Sequence, residues 1–225
     1  MPLILSINTA FETASVLLSS GEKIIEEIQH SNQKDHASFL EPAIQSLFEH
    51  AGIQMHELDA VAVVNGPGSY TGLRVGLSSA KALCYAFNKP LLLLNTLDVM
   101  ALALKFQLKS TATNVLFCPM IDARRMEVFT ALYNFNLTIL ENYSSALIDE
   151  NFLNSYAESN HLIAVGGSGA PKLQKIAAGK NFIYINPLNI TQPIIDSGIK
   201  LFKGKIFADV VYSEPYYIKP VHFNK

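Results

Sequence analysis

Apolar residues along this chain follow two periods, one typical of strands and one typical of helices. Three short aliphatic runs, 3–8, 14–20 and 23–30, are separated by turn-forming residues, which predicts a three-stranded meander. From Asp35 the apolar residues recur at intervals of three and four, which predicts an amphipathic helix that ends at Gly52.

Strands and helices are then predicted to alternate. The expected order after the first helix is strand, glycine-rich loop, helix, strand and helix, over 59–64, 65–69, 70–87, 91–94 and 97–106. The order βββαβαβα is typical of an α/β protein, a mixed sheet with helices on its faces.

A second block repeats the opening arrangement. Its predicted elements are a hairpin, a third strand, a strand, a glycine turn and a short helix, over 115–133, 137–140, 162–165, 166–170 and 171–178. The segments share an arrangement without a close sequence repeat.

Composition narrows the class of protein. The chain has 225 residues, of which 49% are hydrophobic and 16% charged, as expected for a folded protein with a large core. A net charge of -2 gives no electrostatic reason for tight nucleic-acid binding by this chain alone, so any such role is expected to be shared with a partner.

Cysteine usage and the start of the chain predict a cytoplasmic protein. Cys84 and Cys118 lie in apolar surroundings without zinc-binding spacing, which predicts buried, reduced thiols. The first residues lack a basic start, and no run reaches the roughly 18 apolar residues of a membrane span.

The stretch 65-NGPGSYTGLRVG-76 connects a strand to a helix, where a phosphate could bind. However, Leu73 and Arg74 follow Gly72 where a P-loop has Lys and Ser or Thr, so the phosphate interpretation is weak. On the helix, Gly72, Gly76, Ala80 and Cys84 are four residues apart, which gives one face little side-chain bulk. Either a partner chain or the helix 36–51 of the same chain is expected to approach it closely.

The chain resembles the bacterial TsaB (YeaZ) family over most of its length. The resemblance rests on 59–101, which contains GPGSYTGLR, on 118–133, which contains IDARR, and on 4–18 and 214–220. It implies a two-lobed, actin-like fold of the sugar-kinase and heat-shock-protein type, with mixed sheets and helices on their faces. We expect a first lobe of 1–105, completed by 206–225, and a smaller second lobe of 106–205.

The resemblance also implies a function. The family is the non-catalytic partner of TsaD in making threonylcarbamoyladenosine in tRNA. The expected partners are the TsaD paralogue in a heterodimer, the TsaE ATPase in a larger complex, a second copy when the chain is alone, and tRNA only through the complex; no membrane and no cofactor is expected. The expected partner interface lies on the two helices and the glycine loop: His36, Phe39, Leu40, Ala43, Gly66, Pro67, Gly68, Ser69, Tyr70, Thr71, Gly72, Leu73, Gly76, Leu77 and Ala80.

Departures from catalytic relatives predict a chain without catalytic residues or a metal site. Thr96 and Met100 stand where the catalytic paralogue has a His-x-x-x-His metal motif, and neither ligates such metals. Asn8 stands where the family usually has an acidic residue, in the loop that kinases of this fold use near the nucleotide's phosphates and metal. An amide brings no negative charge to a hydrated cation. We therefore expect no transfer to tRNA, no bound zinc or iron and no ATP hydrolysis by the chain alone. An actin-like small-molecule kinase or ATPase remains the chief alternative.

The second glycine loop has three interpretations. The loop Gly166, Gly167, Ser168 and Gly169 is either a vestigial nucleotide loop or, as we favour, a tight turn. It also resembles part of a G-x-S-x-G nucleophile elbow, with Asp196 and His222 downstream, which makes a hydrolase the weakest alternative.

One histidine and two arginines also have both a structural and a functional interpretation. We expect His36 to make a structural hydrogen bond rather than to bind metal. Arg124 and Arg125 lie on a predicted turn, as either a solvated pair or an inter-lobe or tRNA contact.

One substitution distinguishes the two interpretations of the glycine face. If a partner contacts Gly76, then Gly76→Leu weakens association and affects the fold less. If the same chain contacts it, the fold loses stability instead.

Overall fold

The computed structural model describes residues 1–32, 35–109, 113–177 and 181–219. The described chain forms two compact units. The first unit comprises Met1–Thr96 and Thr191–Tyr216, and the second comprises Leu97–Ile190 and 217–219. No described helix combines the length and apolar character that crossing a bilayer requires.

The first unit is built on a five-stranded mixed sheet in the order β3-β2-β1-β4-β5. Its strands are β1 (Leu3–Asn8), β2 (Ala14–Ser20), β3 (Lys23–His30), β4 (Ala60–Gly66) and β5 (Leu91–Asn95). β1, β4 and β5 are parallel neighbours, whereas β1, β2 and β3 form the predicted antiparallel meander.

Alternate residues of β4 face opposite sides of this sheet. Val61 and Val63 join a core with α1 (His36–Ala51) and α2 (Tyr70–Phe87). Ala62 faces the other side, where α6 (Thr191–Lys203) brings Gly198 against it. Both faces of the sheet are therefore covered by helices.

The second unit repeats this strand order. Its strands are β6 (Val115–Asp122), β7 (Glu127–Tyr133), β8 (Ile139–Leu147), β9 (Leu162–Gly166) and β10 (Phe182–Ile185). The order β8-β7-β6-β9-β10 matches that of the first sheet strand for strand, with the same antiparallel meander followed by parallel neighbours. Its helices are α3 (Thr96–Leu108), α4 (Asn154–Glu158) and α5 (Ala170–Ile176). The predicted α/β, actin-like fold with a meander opening each half is confirmed.

The boundary between the units differs from the predicted lobes. α3 was assigned to a first lobe of 1–105, but Asp98 accepts hydrogen bonds from Tyr133 and Tyr143 on the second sheet, at 2.7 and 2.9 Å. Conversely, α6 falls within the predicted second lobe, 106–205, but contacts β1, β4 and β5. Of the predicted completing segment 206–225, residues up to Tyr216 belong to the first unit.

Candidate functional site

The glycine loop lies at the carboxyl end of β4 and is occupied by other parts of the same chain. Ser69 donates its backbone N–H to the Ala10 carbonyl at 2.9 Å, and a Cβ at Gly68 would collide with that carbonyl. On the other side, the Tyr216 N–H bonds the Asn65 carbonyl, and the Tyr216 carbonyl fills the space that a Cβ at Gly66 would need. Gly66 also has a φ of 120°, which favours glycine.

The glycine face of α2 packs inward. The Thr9 hydroxyl donates to the Gly72 carbonyl at 2.6 Å, and a Cβ at Gly72 would collide with the Thr9 carbonyl. A Cβ at Gly76 would collide with the Thr9 hydroxyl and contact Ile7 and Val63. The glycines therefore admit the β1–β2 loop of the same chain, which corrects the expectation that they admit a partner.

Most of the residues expected at the partner interface are enclosed within the chain. The buried ones are His36, Leu40, Ala43, Gly66, Pro67, Gly72, Leu73, Gly76, Leu77 and Ala80. Phe39, Gly68, Ser69 and Tyr70 are partly buried, and Thr71 is exposed. The periodicity thus marked the inward face of each helix, and the partner interface itself stays a prediction.

The opposite face of α2 is accessible. Thr71, Val75, Ser78, Ala82 and Tyr85 follow one another at intervals of four and three, the spacing of a helix seam, and are exposed or partly exposed. We call these five residues the α2 seam. Its central members are small, so a partner helix can approach its backbone closely.

α1 extends the accessible surface beside the seam. Ser79 of α2 donates a hydrogen bond to the carboxylate of Glu41, which links the two helices. Ser38, Glu41 and Gln45 share one exposed face of α1. The two helices thus present one accessible surface, with mostly small side chains at the centre of the α2 seam and polar side chains on α1.

A turn of residues 209–213 borders the far end of the seam. We call Tyr85, Val211 and Tyr212 the aromatic cluster. Lys81 donates to the carbonyls of Val211 and Ser213 at 2.9 and 3.0 Å, which holds this turn beside α2. Asp209 closes the turn by accepting the backbone N–H groups of Val211 and Tyr212. Tyr85, Val211 and Tyr212 remain 81%, 66% and 82% exposed. No signal in the sequence marked this turn, because it is held by hydrogen bonds that Lys81 donates and Asp209 accepts.

The residues expected to replace catalytic or metal-binding groups are all buried in this structure. Asn8 is buried and accepts the Ala10 N–H at 3.2 Å, so its amide helps to form the β1–β2 turn. Thr96 and Met100 are buried on α3. Within the described residues, no group of three His, Cys, Asp or Glu side chains could hold a metal ion.

The second glycine loop is a packed turn. Gly167 has a φ of 102°, and a Cβ there would collide with Met100 and with the Met120 carbonyl. The Gly169 N–H bonds the Met120 carbonyl at 3.0 Å, and the Ser168 hydroxyl accepts the Asp122 N–H. These contacts support the tight-turn interpretation for residues 166–169. His222 of the hydrolase alternative lies outside the described residues.

The β6–β7 turn carries the arginine pair. Arg124 and Arg125 are exposed, with φ of 70° and 49°. Asp122 accepts the Arg124 N–H at 2.6 Å and binds Lys172 at 2.7 Å. Burial acts to raise the pKa of Asp122, but the hydrogen bonds from Lys172 and the Arg124 N–H outweigh it, so the pKa is lowered. Glu127, on the other side of the turn, is bound by Lys219.

The predicted structural hydrogen bond of His36 is confirmed, because its Nε2 donates to the Glu12 carbonyl at 3.1 Å. The predicted buried, free thiols are also confirmed. Burial raises the pKa of Cys84 to about 11 and that of Cys118 to about 12. Neither thiol is therefore a reactive nucleophile at neutral pH.

Comparison with known sequences agrees with this architecture. Residues 23–219 match the family TsaD, tRNA N6-adenosine threonylcarbamoyltransferase. Two similar proteins are named tRNA threonylcarbamoyladenosine biosynthesis protein TsaB. The Bacillus subtilis protein is 31% identical over 61% of this chain and 58% of its own length. The Haemophilus influenzae protein is 36% identical over 56% of this chain and 51% of its own length. The matched region thus spans little more than half of these relatives.

Solved structures share the fold over nearly the whole chain. YeaZ from Pseudomonas aeruginosa superposes with a TM-score of 0.75 and 20% identity, covering 96% of this chain and all of that one. A second structure, described as an uncharacterized protein with similarity to peptidase YEAZ from Pseudomonas aeruginosa, gives 0.81 at 19% identity, over 97% of this chain and all of that one. Since the family match covers most of the sequence, this chain belongs to the tRNA N6-adenosine threonylcarbamoyltransferase family.

Proposed function

We propose that this chain is a non-catalytic subunit in tRNA threonylcarbamoyladenosine synthesis, which binds and activates a catalytic paralogue of the TsaD type. The names of the related proteins support the pathway. The non-catalytic role is supported by Asn8, Thr96 and Met100, which replace a charged group and a metal-ligand pair and pack within the fold.

We propose that the subunit binds its partner through the α2 seam. Its small side chains are accessible beside α1, and the aromatic cluster at its end offers the Tyr side chains that often dominate binding energy at protein interfaces. The seam and the exposed face of α1 pack against the equivalent helices of the paralogue as a helix bundle. When the paralogue is absent, a second copy of this chain covers the same surface.

The test is an exposed substitution at the centre of the seam. Ala82→Arg places a long, charged side chain where a partner helix would lie, so we expect association with the paralogue to be lost while the melting temperature is unchanged. Gln174→Arg, on an exposed position of α5, is the matched control and should associate normally. Sedimentation of each variant mixed with the paralogue measures their association. Normal association of a folded Ala82→Arg protein would reject the interface.

Activity is measured in the same mixtures. The chain alone is expected to be inactive in threonylcarbamoyl transfer, and the paralogue is expected to lose its stimulation when Ala82→Arg replaces the wild type. Stimulation that survives the loss of association would reject the proposed role. The kinase alternative predicts tight ATP binding by the chain alone, and nucleotide titration tests it directly.

A further inference from the structure

The β6–β7 turn combines an unfavourable backbone with an exposed pair of arginines. Both Arg124 and Arg125 have positive φ, a conformation that glycine and asparagine adopt far more readily than arginine. Residues held in such sparsely populated conformations cluster at active sites, ligand clamps and switch regions. What the two arginines supply, compared with Asn or Gly, is positive charge.

The charge at this turn is not balanced by its neighbours. The two adjacent carboxylates, Asp122 and Glu127, are bound by Lys172 and Lys219. Among the described residues, none accepts a hydrogen bond from the guanidinium of Arg124 or Arg125. The turn and the groups bound to it thus hold four cations and two carboxylates, on a chain whose net charge is -2.

Two adjacent guanidinium groups favour a ligand that carries phosphate groups. Guanidinium groups bind phosphate oxygens through paired hydrogen bonds, and remain charged at every physiological pH. A hairpin tip projects outward, whereas small phosphorylated molecules are bound in concave pockets. A projecting pair of arginines therefore suits an extended chain of phosphates.

We propose that Arg124 and Arg125 at the β6–β7 turn bind the phosphate backbone of RNA. The choice of RNA over other polyanions rests on the proposed function in tRNA modification. The contact is with phosphates and so contributes affinity and orientation rather than sequence recognition.

The test replaces the two arginines with residues that adopt a positive φ more readily. Arg124→Asn with Arg125→Gly removes both charges and relieves the strained conformation. We expect the melting temperature to rise, by about 2–4 °C, while RNA binding weakens. A structural role for the arginines predicts a fall in melting temperature, and RNA binding that stays unchanged shows that the turn makes no phosphate contact; either result would overturn the inference.

RNA binding is measured by anisotropy with an unmodified tRNA transcript over a range of salt concentrations, using the full chain alone and mixed with the paralogue. Loss of two phosphate contacts should reduce the slope of log affinity against log salt by about 1 to 2. Arg124→Lys with Arg125→Lys should keep most of the slope. Lys200→Ala with Lys203→Ala removes two exposed charges from α6 and should leave the salt slope unchanged.

Association with the paralogue separates this inference from the proposed function. We expect the Asn and Gly variant to associate normally. If it loses association instead, the turn binds an acidic protein surface and the inference fails. If no association occurs even for the wild type, the proposed function fails, and the salt slope of the chain alone still decides for or against RNA binding.

Discussion

Gly76, on the glycine face of α2, is closely enclosed by the same chain. The Thr9 hydroxyl, Ile7 and Val63 occupy the space next to its Cα. Its sequence context, a glycine stripe on an apolar helix, predicts close approach of a backbone but cannot specify which one. The identity of the neighbour depends on the β1–β2 loop, more than sixty residues earlier in the chain.

Gly76→Leu is therefore expected to destabilise the fold. Overpacking of a filled core typically costs about 1–3 kcal/mol, and the collision with Thr9 places this substitution at or above the upper end. Thermal melting measures the loss. Ser78→Leu, on the exposed face of the same helix, is the control and should melt close to the wild type. A Gly76→Leu protein as stable as the control would contradict the packing described here.

The buried thiols predict a loss of stability at alkaline pH. Burial holds the pKa of Cys84 near 11 and that of Cys118 near 12, above the value of 9.0 expected in the unfolded chain. Below pH 9 both thiols are protonated in both states, so their contribution is fully present. As the pH rises from 9 towards 11 and 12, only the unfolded chain releases these protons, and stability falls.

Each thiol contributes a slope of about 1.4 kcal/mol per pH unit within that window. The free energy of unfolding, measured by urea titration at pH 8 and pH 10, should thus fall more for the wild type than for Cys84→Ala with Cys118→Ala. Equal falls in the two proteins would show that the thiols do not titrate as described.

Helix α3 is connected to the second sheet through the side chain of Asp98. Asp98 accepts hydrogen bonds from the buried Tyr133 on β7 and from Tyr143 on β8. Burial, together with the Asp98 carboxylate, raises the pKa of Tyr133 well above its usual value, so the phenol remains a donor. The sequence placed α3 in the first lobe because it follows β5 directly.

Asp98→Ala leaves the Tyr133 hydroxyl without this acceptor. An unsatisfied buried polar group costs about 1–3 kcal/mol, so the melting temperature of the variant should fall. Tyr143→Phe removes the less enclosed of the two hydrogen bonds and should cost less. A smaller effect for Asp98→Ala than for Tyr143→Phe would contradict this account.

Elements with a strong local period were the most predictable. The meander strands match 3–8, 14–20 and 23–30, and α2 matches 70–87, because alternation and helical spacing are both clear there. β10 and α6 were missed. In α6, Pro193 and Gly198 lower the helix propensity of a segment whose isoleucines do have helical spacing. β8 was predicted as 137–140 but extends over Ile139–Leu147, since its many exposed polar residues hide the strand pattern.

At the scale of the whole molecule, the first unit depends on a distant segment. α6 buries Ile194, Ile195 and Ile199 and contacts three strands of the first sheet. Full burial of each isoleucine contributes about 1.5–3 kcal/mol. A chain truncated after Ile190 should therefore leave one face of that sheet uncovered.

In limited proteolysis of this truncated chain, we expect cleavage within 1–96 at protease levels that leave the full chain intact. Adding a peptide of residues 191–216 should restore protection. A first unit that resists proteolysis without this segment would show that α6 is not required.

The discontinuity of the first unit also affects synthesis on the ribosome. Residues 97–190 leave the exit tunnel as one stretch, whereas the first unit waits for α6 and for the strand-end contact of Tyr216 with Asn65. At about 5–20 residues per second, translation from 190 to 216 takes roughly 1–5 s. During that interval the part of the protein made first is still incomplete, and the part made second can already be folded. The N-terminal sheet thus keeps an uncovered face until the last part of the first unit has been made.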